Sequence, residues 1–97
     1  MRTALEAIER YASQGEVAFL QQELIQIWTL HHLQILGEAA RVLSPEFRER
    51  YPAVPWSQVI GLRNILVHHY FAIDPAVIWA IVERDLPPLR TALDAVE

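Results

Sequence analysis

Between residues 63 and 70 the chain reads Arg63-Asn64-Ile65-Leu66-Val67-His68-His69-Tyr70, so an arginine, an asparagine, two histidines and a tyrosine interrupt an otherwise apolar stretch. On a continuous helix, Arg63 and Tyr70 would lie within roughly 20° of each other around the axis, while Asn64 and His68 would pair on an adjoining face. Arg63 offers a permanent planar cation that forks onto a phosphate. His68 offers a group that titrates near neutrality and can move a proton. Together they suit phosphodiester cleavage. Polar groups on an apolar helix cost stability, and such costs are most often met at functional sites. The same residue types also occur as a surface arginine with a packed stem or a solvated or satisfied core histidine, so residue type alone leaves both readings open.

Other chemistries find less support. No Ser-His-Asp arrangement or Gly-rich phosphate loop is visible, and the three glycines, Gly15, Gly37 and Gly61, are isolated. His31-His32 and His68-His69 are adjacent pairs, whose members point about 100° apart on a helix, and no His-x-x-x-His pair or Asp/Glu cluster joins them. A metal site is therefore not expected, and no cofactor motif is read. With no cysteine, neither a disulfide, a thiolate ligand nor a cysteine nucleophile is available, which suits a reducing cytoplasm. The net charge of −4 counts against a protein that coats nucleic acid non-specifically, though it leaves room for a local basic site.

The elements that must position this segment are all helical. Apolar residues recur at helical spacing and no clean alternation argues for a strand. Thr3 can cap a first helix over residues 4–13 that carries Leu5, Ile8 and Tyr11 or Ala12 on one face, and Ser13-Gln14-Gly15 breaks it. A short segment at 16–20 leads to a long helix over 22–43, apolar around more than half its circumference and so contacted on two sides. Ser44-Pro45 caps a short helix, Tyr51-Pro52-Ala53-Val54-Pro55 is a rigid connector, and Trp56-Ser57 opens the helix that carries residues 63–70. Asp74-Pro75 starts the last helix, which Pro87-Pro88 should kink or break. The expectation is one all-α domain over 1–97, a bundle of four to five helices. No leader is read at the amino terminus and no segment is long and apolar enough to span a bilayer, so a cytoplasmic protein is expected. At 53% apolar and 21% charged residues, some apolar side chains must stay outside a core of this size, and an oligomer would cover them.

Arg63, four residues, His68, one residue and Tyr70 resemble the Arg-x4-His-x-Tyr signature of the HepT-like family of HEPN-domain proteins. The resemblance extends to Ile35-Leu36-Gly37-Glu38-Ala39-Ala40 in the long helix, to Tyr51-Pro52 with Val54-Pro55-Trp56 in the connector, to Gly61-Leu62-Arg63-Asn64, and to Asp85-Leu86-Pro87 in the last helix. It implies a HEPN fold and a metal-independent RNase toxin of a toxin–antitoxin pair, needing no cofactor. Arg63 would then hold the scissile phosphate, His68 would act as general acid/base, and Asn64 would orient one of them. Tyr70 would be the tyrosine that a minimal nucleotidyltransferase antitoxin of the MntA type modifies by AMP transfer, placing bulk and negative charge beside the pair. The alternative for Tyr70 is a packed aromatic whose hydroxyl bonds Arg63 or His68. The family's site is composed across a homodimer, with RNA as substrate.

The chain also departs from that pattern. His69 stands where members often carry Gly or Asp, and it adds a second titratable group to the site. His31 and His32 stand where an arginine or other polar residue is expected, and read as cleft-lining groups or as plain helix-surface or interface residues. Glu38, among small residues, is read as a partner of Arg63 across the bundle or as a solvated carboxylate. The first helix begins later than in many relatives. A second class of function is a non-catalytic dimeric module that engages a nucleotidyltransferase, and a third is a purely structural helical protein, which leaves the polar octet unexplained.

Overall fold

The computed structural model describes residues 1–69 and 74–95, with the backbone alone for 63–69. Among these the chain forms six helices and no strand: α1 (Arg2–Ala12), α2 (Glu16–Gln21), α3 (Glu23–Arg41), α4 (Pro45–Arg50), α5 (Trp56–His69) and α6 (Pro75–Ala95). The all-α expectation holds, but the count exceeds four to five because the short segment after Gly15 is a helix of its own. Gly15 makes that possible. Its φ of 97° lies where a side chain would be strained, and this turns the chain between α1 and α2.

Local signals account for most boundaries. The Ser44 hydroxyl accepts from the Phe47 N–H at 3.1 Å and opens α4, with Pro45 in its first turn. Asp74 accepts from the Ala76 N–H at 2.9 Å and opens α6. Thr3, by contrast, caps nothing: α1 begins one residue earlier, at Arg2, where Met1 contributes its carbonyl to the Leu5 N–H at 3.0 Å. Nor do Pro87 and Pro88 break α6, which runs unbroken from Pro75 to Ala95. Each proline removes one backbone donor, leaving the carbonyls of Glu83 and Arg84 on the exposed side. Leu86, Leu89, Ala92 and Leu93, all buried, hold the chain in register across that point, and the Thr91 hydroxyl returns a bond to the Pro87 carbonyl at 3.1 Å.

The core lies around α3. Ile25, Leu30, Leu33, Leu36 and Ala40 turn one face of it inward, with the buried Thr29 and Gly37 between them. Its two main neighbours are α5, which contributes Val59 and Leu62, and α1, which contributes Ala4, Leu5 and Ile8. On the far side Phe19 of α2 packs on Trp79 of α6 with ring centres 5.3 Å apart. Gln26 closes the α2–α3 joint by donating to the Phe19 carbonyl at 3.0 Å. Arg90 ties α6 to α1 by facing Glu6 and Glu9 at 3.8 and 3.7 Å, and Arg2 donates to the Leu93 carbonyl at 2.6 Å. No described helix is long and apolar enough to cross a membrane.

Candidate active site

The helix expected to carry the site is anchored at its start. Trp56 donates its single indole N–H to the carbonyls of Arg48 at 3.1 Å and Tyr51 at 3.0 Å, which fastens the end of α4 and the connector to the first residue of α5. Phe47, Tyr51 and Trp56 stack into a small aromatic group, with Phe47 5.1 Å from Tyr51 and 6.2 Å from Trp56 between ring centres. The Pro55 carbonyl accepts from the N–H groups of Gln58 and Val59 at 3.0 Å, so the rigid connector passes directly into helix. One turn on, Val59 and Leu62 are buried. The sequence reading does not single out Trp56 as an anchor; its placement directly after Pro55, within reach of the preceding short helix, is the signal that could have found it.

From there the backbone stays helical to His69. Arg63, Asn64, His68 and His69 therefore lie on one uninterrupted element, with Asn64 one turn before His68 and Arg63 about 7.5 Å of axial rise before it. Their side chains, and Tyr70 altogether, lie outside the described residues. The proposed Glu38–Arg63 contact lies outside them for the same reason. Glu38 itself is half-buried on α3, with Arg41 of the next turn at 3.6 Å.

The α3 histidines divide. His32 is half-buried, its Nδ1 lies 2.9 Å from the Trp28 carbonyl, and its ring sits 4.4 Å from the Trp28 ring, which in turn meets Tyr11 edge-on at 5.6 Å. Trp28 also donates to the Ala7 carbonyl at 2.7 Å, so His32 belongs to the α1–α3 joint. His31 is exposed.

Two further features lie away from α5. A groove of about 500 Å³ has described lining residues from the connector and α6, among them Tyr51, Pro52, Val54, Pro87 and Pro88. Asp85, buried on α6, takes Arg84 at 2.9 Å; that hydrogen bond, and then the carboxylate's charge, raise the Arg84 pKa above its ordinary value. Among the described residues, no group of three or more histidine, aspartate and glutamate side chains is placed to hold a metal ion.

Comparison with known proteins agrees with this architecture. A family model described as Ribonuclease HepT-like matches residues 1–96. The chain is 41% identical over 78 residues to a protein of Methanocaldococcus jannaschii described as a putative RNase, covering 80% of this chain and 72% of that one. A protein of the same description from Caldanaerobacter subterraneus is 33% identical over 83 residues, covering 86% and 74%. The probable ribonuclease HepT of Thermococcus cleftensis is 32% identical over 90 residues, covering 90% and 80%. No solved structure matches the chain significantly.

Proposed function

Since the chain belongs to the ribonuclease HepT-like family, whose model spans nearly all of it, we propose that it is a metal-independent endoribonuclease whose cleavage residues are carried by α5. The observation that carries this reading is the intact Arg63, Asn64 and His68 set on a single helix fastened to the core by Trp56, Val59 and Leu62. Arg63 binds the scissile phosphate and offsets the charge that builds on its oxygens. His68 takes the proton from the ribose 2′-hydroxyl or returns one to the leaving oxygen. The 2′-oxygen attacks phosphorus and the bond to the 5′-oxygen breaks, leaving a cyclic phosphate on one fragment and a 5′-hydroxyl on the other. Asn64 orients His68 or the phosphate, with Glu38 and His69 as supporting groups.

Two copies of the chain form the working unit, so that two motifs share one cleft and two local cationic sites add in a chain of net charge −4. The physiological setting is a toxin–antitoxin pair, in which a minimal nucleotidyltransferase of the MntA type transfers AMP to Tyr70 and blocks RNA by bulk and charge.

The test uses purified protein, an RNA oligonucleotide and excess EDTA. Cleavage with cyclic-phosphate ends is expected, and His68→Ala and Arg63→Ala should each lower the rate by about 100-fold or more while far-UV circular dichroism stays unchanged. An unimpaired His68→Ala variant overturns the chemistry. The acidic net charge favours a second reading, a dimeric module that engages the nucleotidyltransferase without cutting RNA; failure of the wild-type protein to cleave any RNA, with the partner still bound, would select it.

A further inference from the structure

Arg48 is a half-buried arginine without a counter-charge. Arg2 and Arg90, the other half-buried arginines among the described residues, each face a carboxylate, Arg2 at 3.2 Å and Arg90 at 3.7 to 3.8 Å. Arg48 faces none, and its Nε is buried with no hydrogen-bond partner among the described residues. Leaving a donor of a charged group buried and unpaired destabilises a fold, and an acceptor brought by a ligand relieves that cost.

Arg48 lines a concavity of about 420 Å³ between α4 and the start of α5, together with Pro45, Glu49, Trp56 and Ser57. Sites for small molecules have volumes of about 300 to 1,000 Å³. The chemistry of this one suits a nucleotide better than a bare anion. Arg48 and the Ser57 hydroxyl donate to phosphate oxygens. Pro45 and Trp56 give apolar walls on which a base can lie. Glu49 would repel a free phosphate but accepts from a base amino group.

The concavity also lies in line with the candidate active site. At 100° per residue, the register positions of Ser57, Gly61, Asn64 and His68 fall within about 60° of arc on α5, opposite the buried Val59 and Leu62. Gly61 adds no side chain to that track, and a methyl group there would meet no described atom within 4 Å beyond the adjoining backbone. From His68 back to Ser57 is about 16 Å along the helix axis.

We infer that the concavity bounded by Arg48, Trp56 and Ser57 binds one nucleotide of a single-stranded RNA, through a phosphate other than the one that is cut. Its role as a substrate subsite rests on the ribonuclease reading: a strand whose scissile phosphate lies at Arg63 and His68 follows the Gly61 side of α5 and is held again at Arg48. Such a contact is made equally before and during cleavage, so it acts on KM and not on kcat.

The test uses the full chain and a short fluorescein-labelled single-stranded RNA, with a 2′-O-methyl version for binding because its blocked 2′-oxygen cannot attack. In fluorescence anisotropy Arg48→Ala should weaken binding about tenfold; it should raise KM by a like factor and leave kcat unchanged. The slope of log affinity against log salt should flatten by about 0.7, the value of one phosphate contact to a single strand. Loss of packing alone would not move that slope. Arg48→Lys should restore most of it, and Arg10→Ala, exposed on α1, should change nothing. Ser57→Glu covers the case in which Arg48→Ala misfolds. A carboxylate in the first turn of α5, where no acidic residue stands, favours the helix yet repels phosphate, so thermal stability should hold while affinity falls about tenfold or more. An unchanged affinity, KM or salt slope in Arg48→Ala overturns the inference, as does a Ser57→Glu variant that binds normally; cleavage by the wild type then leaves the ribonuclease reading standing. Binding that depends on Arg48 without any cleavage overturns the ribonuclease reading and leaves the nucleotide site.

Discussion

Trp56→Phe tests whether the start of α5 is held as described. The change removes one N–H that serves two carbonyls, those of Arg48 and Tyr51. Neither acceptor is orphaned: the Arg48 carbonyl still takes the Tyr51 N–H at 3.2 Å, and the Tyr51 carbonyl still takes the Val54 N–H at 3.1 Å. The loss is therefore that of a hydrogen bond, about 1 kcal/mol, without the larger penalty of a stranded acceptor. Phenylalanine keeps a ring against Phe47 but gives up part of a half-buried indole, about a further 1 kcal/mol. For a domain of this size a total of about 2 kcal/mol lowers the midpoint of thermal unfolding by roughly 8 to 16 °C. Far-UV circular dichroism should report it, with variant and wild type at one protein concentration, since self-association would make the midpoint concentration-dependent. A drop of less than about 3 °C would mean that the indole bonds do not fasten the connector, and the account of how α5 is positioned would fail.

Three further perturbations separate the forces in the fold. Ser44→Ala removes the cap of α4 and should cost about 1 kcal/mol in urea denaturation, because the Phe47 N–H loses its partner. Leu33→Ala, at a fully buried position on α3, should cost about 2 to 5 kcal/mol by opening a cavity, the upper end applying if neighbouring side chains cannot close it. Arg90→Ala should cost under about 1 kcal/mol despite its three carboxylate neighbours, because those pairs are partly solvated and none is closer than 3.7 Å; raising salt should shrink even that.

What the sequence made legible was local. Ser44 and Asp74 announce α4 and α6 because a capping side chain acts within three residues of itself. Pro87-Pro88 does not end α6, for the complementary reason: the local rule counts two lost backbone donors, whereas burial of Leu86, Leu89, Ala92 and Leu93 carries α6 through. The helix at Glu16–Gln21 is too short to show a period, and only the Gly15 turn and the Phe19–Trp79 contact make it an element. At the candidate site the residue types were legible, since Arg63, Asn64 and His68 stand out by chemistry. The indole bridge that fixes their helix was not, because it spans from Trp56 back to Arg48 and leaves no periodic trace.

The placement of these anchors bears on where the site lies. All the described attachments of α5 fall in its first two turns: the Trp56 indole, the Pro55 carbonyl, and the buried Val59 and Leu62. The polar set begins after them, at Arg63. From these anchors the backbone of α5 continues to His69 through its own hydrogen bonds, about 1.5 Å of rise per residue, so the first half of the helix helps to place the backbone of the site.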